Sequence, residues 1–178
     1  NDVIESNTSA VGIAFADETT MSVDPNSTMV IDDFVYDPEN PTTGSMNANV
    51  LEGNFSFVSG QIAKVGADAM KVTTPVLTIG VRGTQVAGKA NTDGEDNEIV
   101  LLPNEDGSVG QIMIKNEGGE VLLTKAYEAT IITDPYTVPT VPVILPKTEV
   151  LKKFASTIAP TRKTEAKAGV ERNTEEAV

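Results

Sequence analysis

The chain has 178 residues, 13 Lys and Arg against 26 Asp and Glu, a formal net charge of −13, and no cysteine, histidine or tryptophan. That length fits one domain with at most an appendage, and that charge repels phosphate backbones, which argues against nucleic acid as a partner. The missing residue types exclude a disulfide framework, a Cys/His metal site and every imidazole-based nucleophile system.

A pair of carboxylates would still allow acid–base work, but three tyrosines and no tryptophan give little for a sugar-stacking cleft. The composition points away from an enzyme, and no cofactor or metal is expected. Valine (21), threonine (21) and isoleucine (12) outnumber the 8 leucines, so branching at Cβ predicts an all-β chain. No apolar run reaches the length of a membrane span, so no membrane insertion is expected. A first residue of Asn1, with no methionine or signal peptide, suggests processing after export or a piece of a longer protein. Charge also breaks near residue 134: residues 1–134 hold 6 basic and 21 acidic side chains, residues 135–178 hold 7 and 5.

Residues 1–10 are polar around Val3 and Ile4 and read as an arm, or as a strand awaiting a neighbour. Val11, Ile13 and Phe15 then alternate on one face, Asp17–Thr20 makes a turn, and Met21 and Val23 point inward together. Asp24-Pro-Asn-Ser27 is a strong turn before a long strand, Thr28–Tyr36. After a Pro-rich loop, strands are expected at Ser45–Leu51 and around Phe55 and Phe57, with a turn at Glu52-Gly53-Asn54 between them. Ser59-Gly60 turns the chain into another extended piece, Gln61–Val65. Strands at Met70–Thr73 and Val76–Ile79 flank Pro75, which marks a corner. Segments Gly80–Gly83 and Thr84–Ala90 follow, then strands at Ile99–Leu102, Gly110–Lys115, Glu120–Thr124 and Ala126–Ile132.

This spacing predicts a β-helix-like or β-sandwich domain over 11–134. Four prolines in residues 135–146 predict an extended connector. Val150, Leu151, Phe154 and Ile158 recur at helical spacing and predict one short amphipathic helix within 147–160, ended by Pro160 and docked on the chain's own core. Residues 161–178 are charged, carry no apolar stripe, and are expected to be disordered or ordered by a partner.

The central stretch resembles the FecR domain family. The residues that carry the resemblance are Phe15–Met21 and Ile31–Asp37, Gly53, Phe55, Phe57 and Gly60 in Glu52–Gly60, and above all Thr74-Pro75 with Gly80-Val-Arg82-Gly83-Thr84. The resemblance implies a small all-β domain in an exported location, in a family whose name-giving members relay signals from outer-membrane iron transporters to a sigma factor. The tryptophan-bearing segment and membrane helix of the signalling type are not among these 178 residues, though a longer protein could carry them, and the residues after 90 read as continuing strands. The expected function is therefore a non-catalytic structural or interaction module, extracellular or on the cell surface, with self-association or a surface protein as partner. The alternative is a periplasmic signal-relay module of a FecR-type regulator.

Arg82 is the only arginine in the first 161 residues. It reads as a clamp on carbonyls or a carboxylate of adjacent strands, with an anion anchor as the alternative. The acidic loops at 91–98 and 104–107 lack calcium-loop spacing and read as solvated turns. Asn7, Asn26 and Asn54 match the N-glycosylation acceptor, as chance also provides in a Ser/Thr-rich chain. For assembly, Val3 and Ile4 in the arm and Val138, Val141 and Val143 in the connector are the candidates to add as strands to a neighbouring subunit and build a filament.

Overall fold

The structure is a computed structural model that describes residues 1–92 and 94–158. Thirteen strands form one sheet curled over itself, and a single strand joins its two halves. That strand is β5, Ser45–Val58. Its first part pairs antiparallel with β4 (Thr28–Val35) and parallel with β6 (Met70–Thr73). Its second part pairs antiparallel with β3 (Thr20–Val23) and β8 (Gln85–Ala90). The changeover falls at Gly53, whose φ of 103° is open to glycine and strained for other residues. A Cβ there would lie 1.9 Å from Ser27 Oγ. The Glu52-Gly53-Asn54 signal is thus used to bend one strand between half-sheets and not to reverse the chain.

The first half-sheet continues outward from β4 to β1 (Asp2–Glu5), and from β6 through β7 (Thr78–Arg82) and β10 (Gln111–Lys115) to β11 (Glu120–Leu123). The second runs from β3 to β2 (Val11–Ala14), and from β8 through β9 (Asn97–Leu102) and β12 (Glu128–Ile132) to β13 (Val143–Ile144). The halves share one core: Met29, Met46, Val72 and Ile79 from the first meet Phe55, Phe57, Ile99 and Leu101 from the second. Phe55 and Phe57 stack with ring centroids 6.4 Å apart, and Gly88 leaves the space that Phe55 fills.

Outer faces differ. On the first half-sheet β6, β7 and β10 alternate, as in Met70, Val72, Ile79 and Val81 buried against Lys71, Thr73, Thr78 and Gly80 half-exposed, because one side faces water. β9 is buried at all six positions. Its Ile99 and Leu101 enter the shared core, while Val100 and Leu102 point outward into a second cluster with Ala87, Ala129, Val150, Phe154 and Ile158. Val150 comes from α1 (Lys147–Lys153), Ile158 from a further helical turn over 155–158, and Phe154 from the junction between them. The carbonyl of Thr157 accepts hydrogen bonds from Ser22 and Ser56, the polar residues that β3 and β5 turn toward the helix. The predicted helix is therefore present and docked on its own chain, with a break at Phe154 (φ −110°, ψ 20°) that the apolar spacing did not reveal.

Three further differences from the sequence reading have physical causes. Gln61–Val65 is not extended: Ile62–Lys64 form one 3₁₀ turn that buries Ile62 and Ala63. The arm is not waiting for a neighbour, because β1 pairs with β4 of its own chain, Asp2 opposite Ile31 through Glu5 opposite Thr28. The connector likewise closes on its own sheet: Val143 and Ile144 pair with Ala129 and Glu128, and the Ile131 amide donates to Thr140 Oγ1 at 2.9 Å. The expected end of the helix at Pro160 and the expected state of 161–178 lie outside the described residues.

Candidate interaction surface and family

The motif residues divide into three groups: Phe55 and Phe57 fill the shared core, others build corners, and others face solvent. Gly83, with a φ of 56°, stands between β7 of the first half-sheet and β8 of the second. Beside it Thr84 is buried; its amide donates to Ser59 Oγ at 2.8 Å and its hydroxyl to the Leu102 carbonyl at 3.1 Å. Gly83 is thus, like Gly53, a glycine at a point where the chain steps from one half to the other. Thr74 and Pro75 lie in the tight connection between β6 and β7, closed by the Thr74 amide donating to the Leu77 carbonyl at 2.9 Å. Val76 and Leu77 are buried there, so strand β7 starts two residues later than the apolar run suggests.

Gly60 belongs to a node missed by the sequence reading. Asp17, fully buried, accepts from the Thr19 amide (3.0 Å), the Thr19 hydroxyl (2.8 Å) and the Ile62 amide (3.1 Å). Thr19 Oγ1 in turn accepts from the Gly60 amide at 3.0 Å, and a Cβ on Gly60 would lie 2.1 Å from the Asp17 carbonyl oxygen. A carboxylate two residues before a threonine, with glycine later in the chain, reads as an ordinary turn; only the fold shows that it ties two segments together.

The expected Arg82 clamp is not formed. Arg82 is the last residue of β7, on the outward side of the strand, exposed, and without a hydrogen bond or ion pair among the described residues. It instead lines a groove of about 1140 Å³ on the outer face of the first half-sheet. The floor is β6, β7 and β10, with Gly80 at its centre; Pro75 and Leu77 stand at one end, Ala67 and Asp68 along a side, and Glu117 and Pro135 at the rim.

The assembly candidates fall elsewhere. Ile4 packs against the core while Val3 is exposed, and Val138, Val141 and Val143 lie exposed along the connector, Val141 at 84%. The acidic turns are satisfied internally: Asp106 accepts from the Ser108 hydroxyl and amide, and these bonds hold its carboxyl below the usual carboxylate value. At the start of the connector Asp134 accepts from the Thr137 hydroxyl and from the amides of Tyr136 and Thr137, which lowers its pKa in the same way. Among the described residues no helix is long and apolar enough to cross a membrane, and no three carboxylates gather as a metal site.

The chain is thus a curled all-β domain with glycines at several of its corners and an open groove on one sheet face. The model of the FecR protein family matches residues 2–109, more than half of the chain, and the chain belongs to that family. Two crystal structures of a candidate anti-sigma factor from Parabacteroides distasonis ATCC 8503 share the fold. One aligns with a TM-score of 0.60 at 13% identity over 84% of this chain, the other with 0.61 at 14% over 84%. This chain spans 63% and 62% of their lengths. No curated protein matches it.

These findings correct the expected function. A structural, filament-forming surface subunit is overturned by membership of the FecR family and by a fold shared with a candidate anti-sigma factor, which point to a regulator. The fold supplies the physical side of the correction: both segments that were to be exchanged between subunits are paired within their own chain.

Proposed function

We propose that this chain is the signal-relay module of a FecR-type regulator, acting in the periplasm and passing the state of an iron transporter toward a sigma factor. The observation that carries this reading is the family match over residues 2–109. The shared fold of the candidate anti-sigma factor supports it. In this role the chain acts by binding protein and holds no catalytic group. The test is deletion of its gene in the source organism, with transcripts measured with and without the transported iron source. A discrete gene set that loses its response to that source is the expected result. Identical responses in the deletion and parent strains would overturn the reading, as would recovery of the protein from the cytoplasmic fraction alone.

A further inference from the structure

Lys71, Arg82 and Lys115 are three of only six cationic side chains in residues 1–134, a stretch that carries 21 acidic ones. They sit on β6, β7 and β10, and all three line the groove. Ladder register sets their spacing. Arg82 lies opposite Gln111, Lys71 opposite Gly80, and Lys115 opposite Thr78. Along the strand direction they occupy successive rows two residues apart, about 7 Å per row and about 13 Å in total. That is the repeat at which alternate side chains of an extended peptide face one way.

The chemistry of the lining favours such a peptide. Lys71 meets Asp68 at 3.6 Å, whereas Arg82 and Lys115 have no ion pair among the described residues. Met113 and Leu122 share the middle row with Gly80, and the Ala67 carbonyl lies 3.3 Å from where a Gly80 Cβ would stand, so the floor between the cations is partly apolar and partly backbone. No aromatic side chain lines the groove, so it offers no platform for a nucleobase or a sugar ring. Its volume of about 1140 Å³ exceeds the usual range for small ligands. The chain as a whole carries a net charge of −13, which repels an acidic segment from most of its surface, whereas the groove sets three cations, Lys71, Arg82 and Lys115, against two carboxylates, Asp68 and Glu117.

From this geometry we infer that the groove over β6, β7 and β10 binds an extended acidic segment of a partner protein, with carboxylates at alternate positions seated on Arg82, Lys71 and Lys115. The inference rests on the relay reading only in expecting a protein partner, and it names the chemistry of that partner's contacting segment.

The experiment uses the full chain and a fluorescein-labelled peptide of alternating Glu and Thr, read by fluorescence anisotropy. A Gln–Thr peptide of equal length serves as the neutral counterpart. Saturable binding of the Glu–Thr peptide is expected, with affinity about tenfold lower for the Gln–Thr peptide and for the R82E/K115E variant. The K89E/K152E variant changes net charge equally on the other half of the molecule and should bind as the parent does. Circular dichroism establishes that the variants are folded. If R82E/K115E does not fold, R82Q/K115Q and amide-shift mapping on the parent replace it, with shifts expected on β6, β7 and β10. No saturable binding, an equal loss in K89E/K152E, shifts centred elsewhere, or displacement by polyphosphate at lower concentration than by unlabelled peptide would each overturn the proposal. Because the assay contains no transporter or sigma factor, its failure would leave the transcript experiment to judge the relay reading by itself.

Discussion

Asp17 is a carboxylate sealed from water, and three donors converge on it. Asp17→Ala would strand the buried amides of Thr19 and Ile62, so it should cost about 3 kcal/mol or more in urea unfolding. A change under about 0.5 kcal/mol would show that the node is dispensable. Glycines separate by the same logic. Gly60→Ala drives a methyl into the Asp17 carbonyl and should cost about 1–3 kcal/mol. Gly83→Ala meets nothing within 4 Å and bears only the cost of its positive φ, about 1–2 kcal/mol. Arg82→Lys, on an exposed side chain, should leave stability within about 0.5 kcal/mol of the parent. At Asp134 the bonds from Thr137 and Tyr136 depress the folded pKa below the ordinary 3.8. Such a group stabilises the fold above its unfolded pKa, and that contribution is lost as pH falls through the folded value, so the loss belongs below pH 3.8. Carbon-13 titration of the Asp134 carboxyl should place its midpoint there, and a midpoint at or above 3.8 would contradict the turn.

Helix α1 and the turn after it cover a face of the second half-sheet that would otherwise expose Val100, Leu102, Ala87 and Ala129. Phe154 is the fully buried centre of that cover, and Phe154→Ala should cost about 3–5 kcal/mol. Binding of a hydrophobic dye to the folded variant would report the uncovered sheet; parent-like stability would show that the helix is an ornament. The strands were the most legible part of the sequence, because period-two alternation in Met70–Thr73 or Gln111–Lys115 directly records one wet and one dry face. Legibility failed where one signal serves two geometries. Glu52-Gly53-Asn54 announces a positive φ, and the same φ bends a strand or ends it; only the neighbours β3, β4, β6 and β8 decide. The apolar residues of Gln61–Val65 likewise fit a short strand until the chain must return from Gly60 to β6 in ten residues. At the site, the motif glycines were recognisable, but the groove was not. Its cations lie 11 and 33 residues apart in sequence and meet only through the β6–β7 and β7–β10 ladders.

As a whole the molecule is an acidic body around one shared core, and both properties are measurable. Self-repulsion from a net −13 is screened by salt, so melting temperature should rise between about 0.02 and about 0.3 M sodium chloride. A fall would mean that attractive pairs dominate. Since β5 belongs to both half-sheets, neither can lose its ladder and leave the other intact. Amide exchange near the unfolding midpoint should therefore show β6–β7 and β8–β9 opening with one free energy, and two separate values would refute the coupling.

For the relay proposed above, that continuous strand has a mechanical consequence. Fourteen residues of backbone run beside the groove and on toward the helix-covered side, gripped by neighbours along most of their length. Its bend at Gly53 is held by β4 and β6 on one side and by β3 and β8 on the other. Torque applied at one face arrives at the other as rotation of a stiff shaft, so such a module transmits by moving whole and not by changing shape.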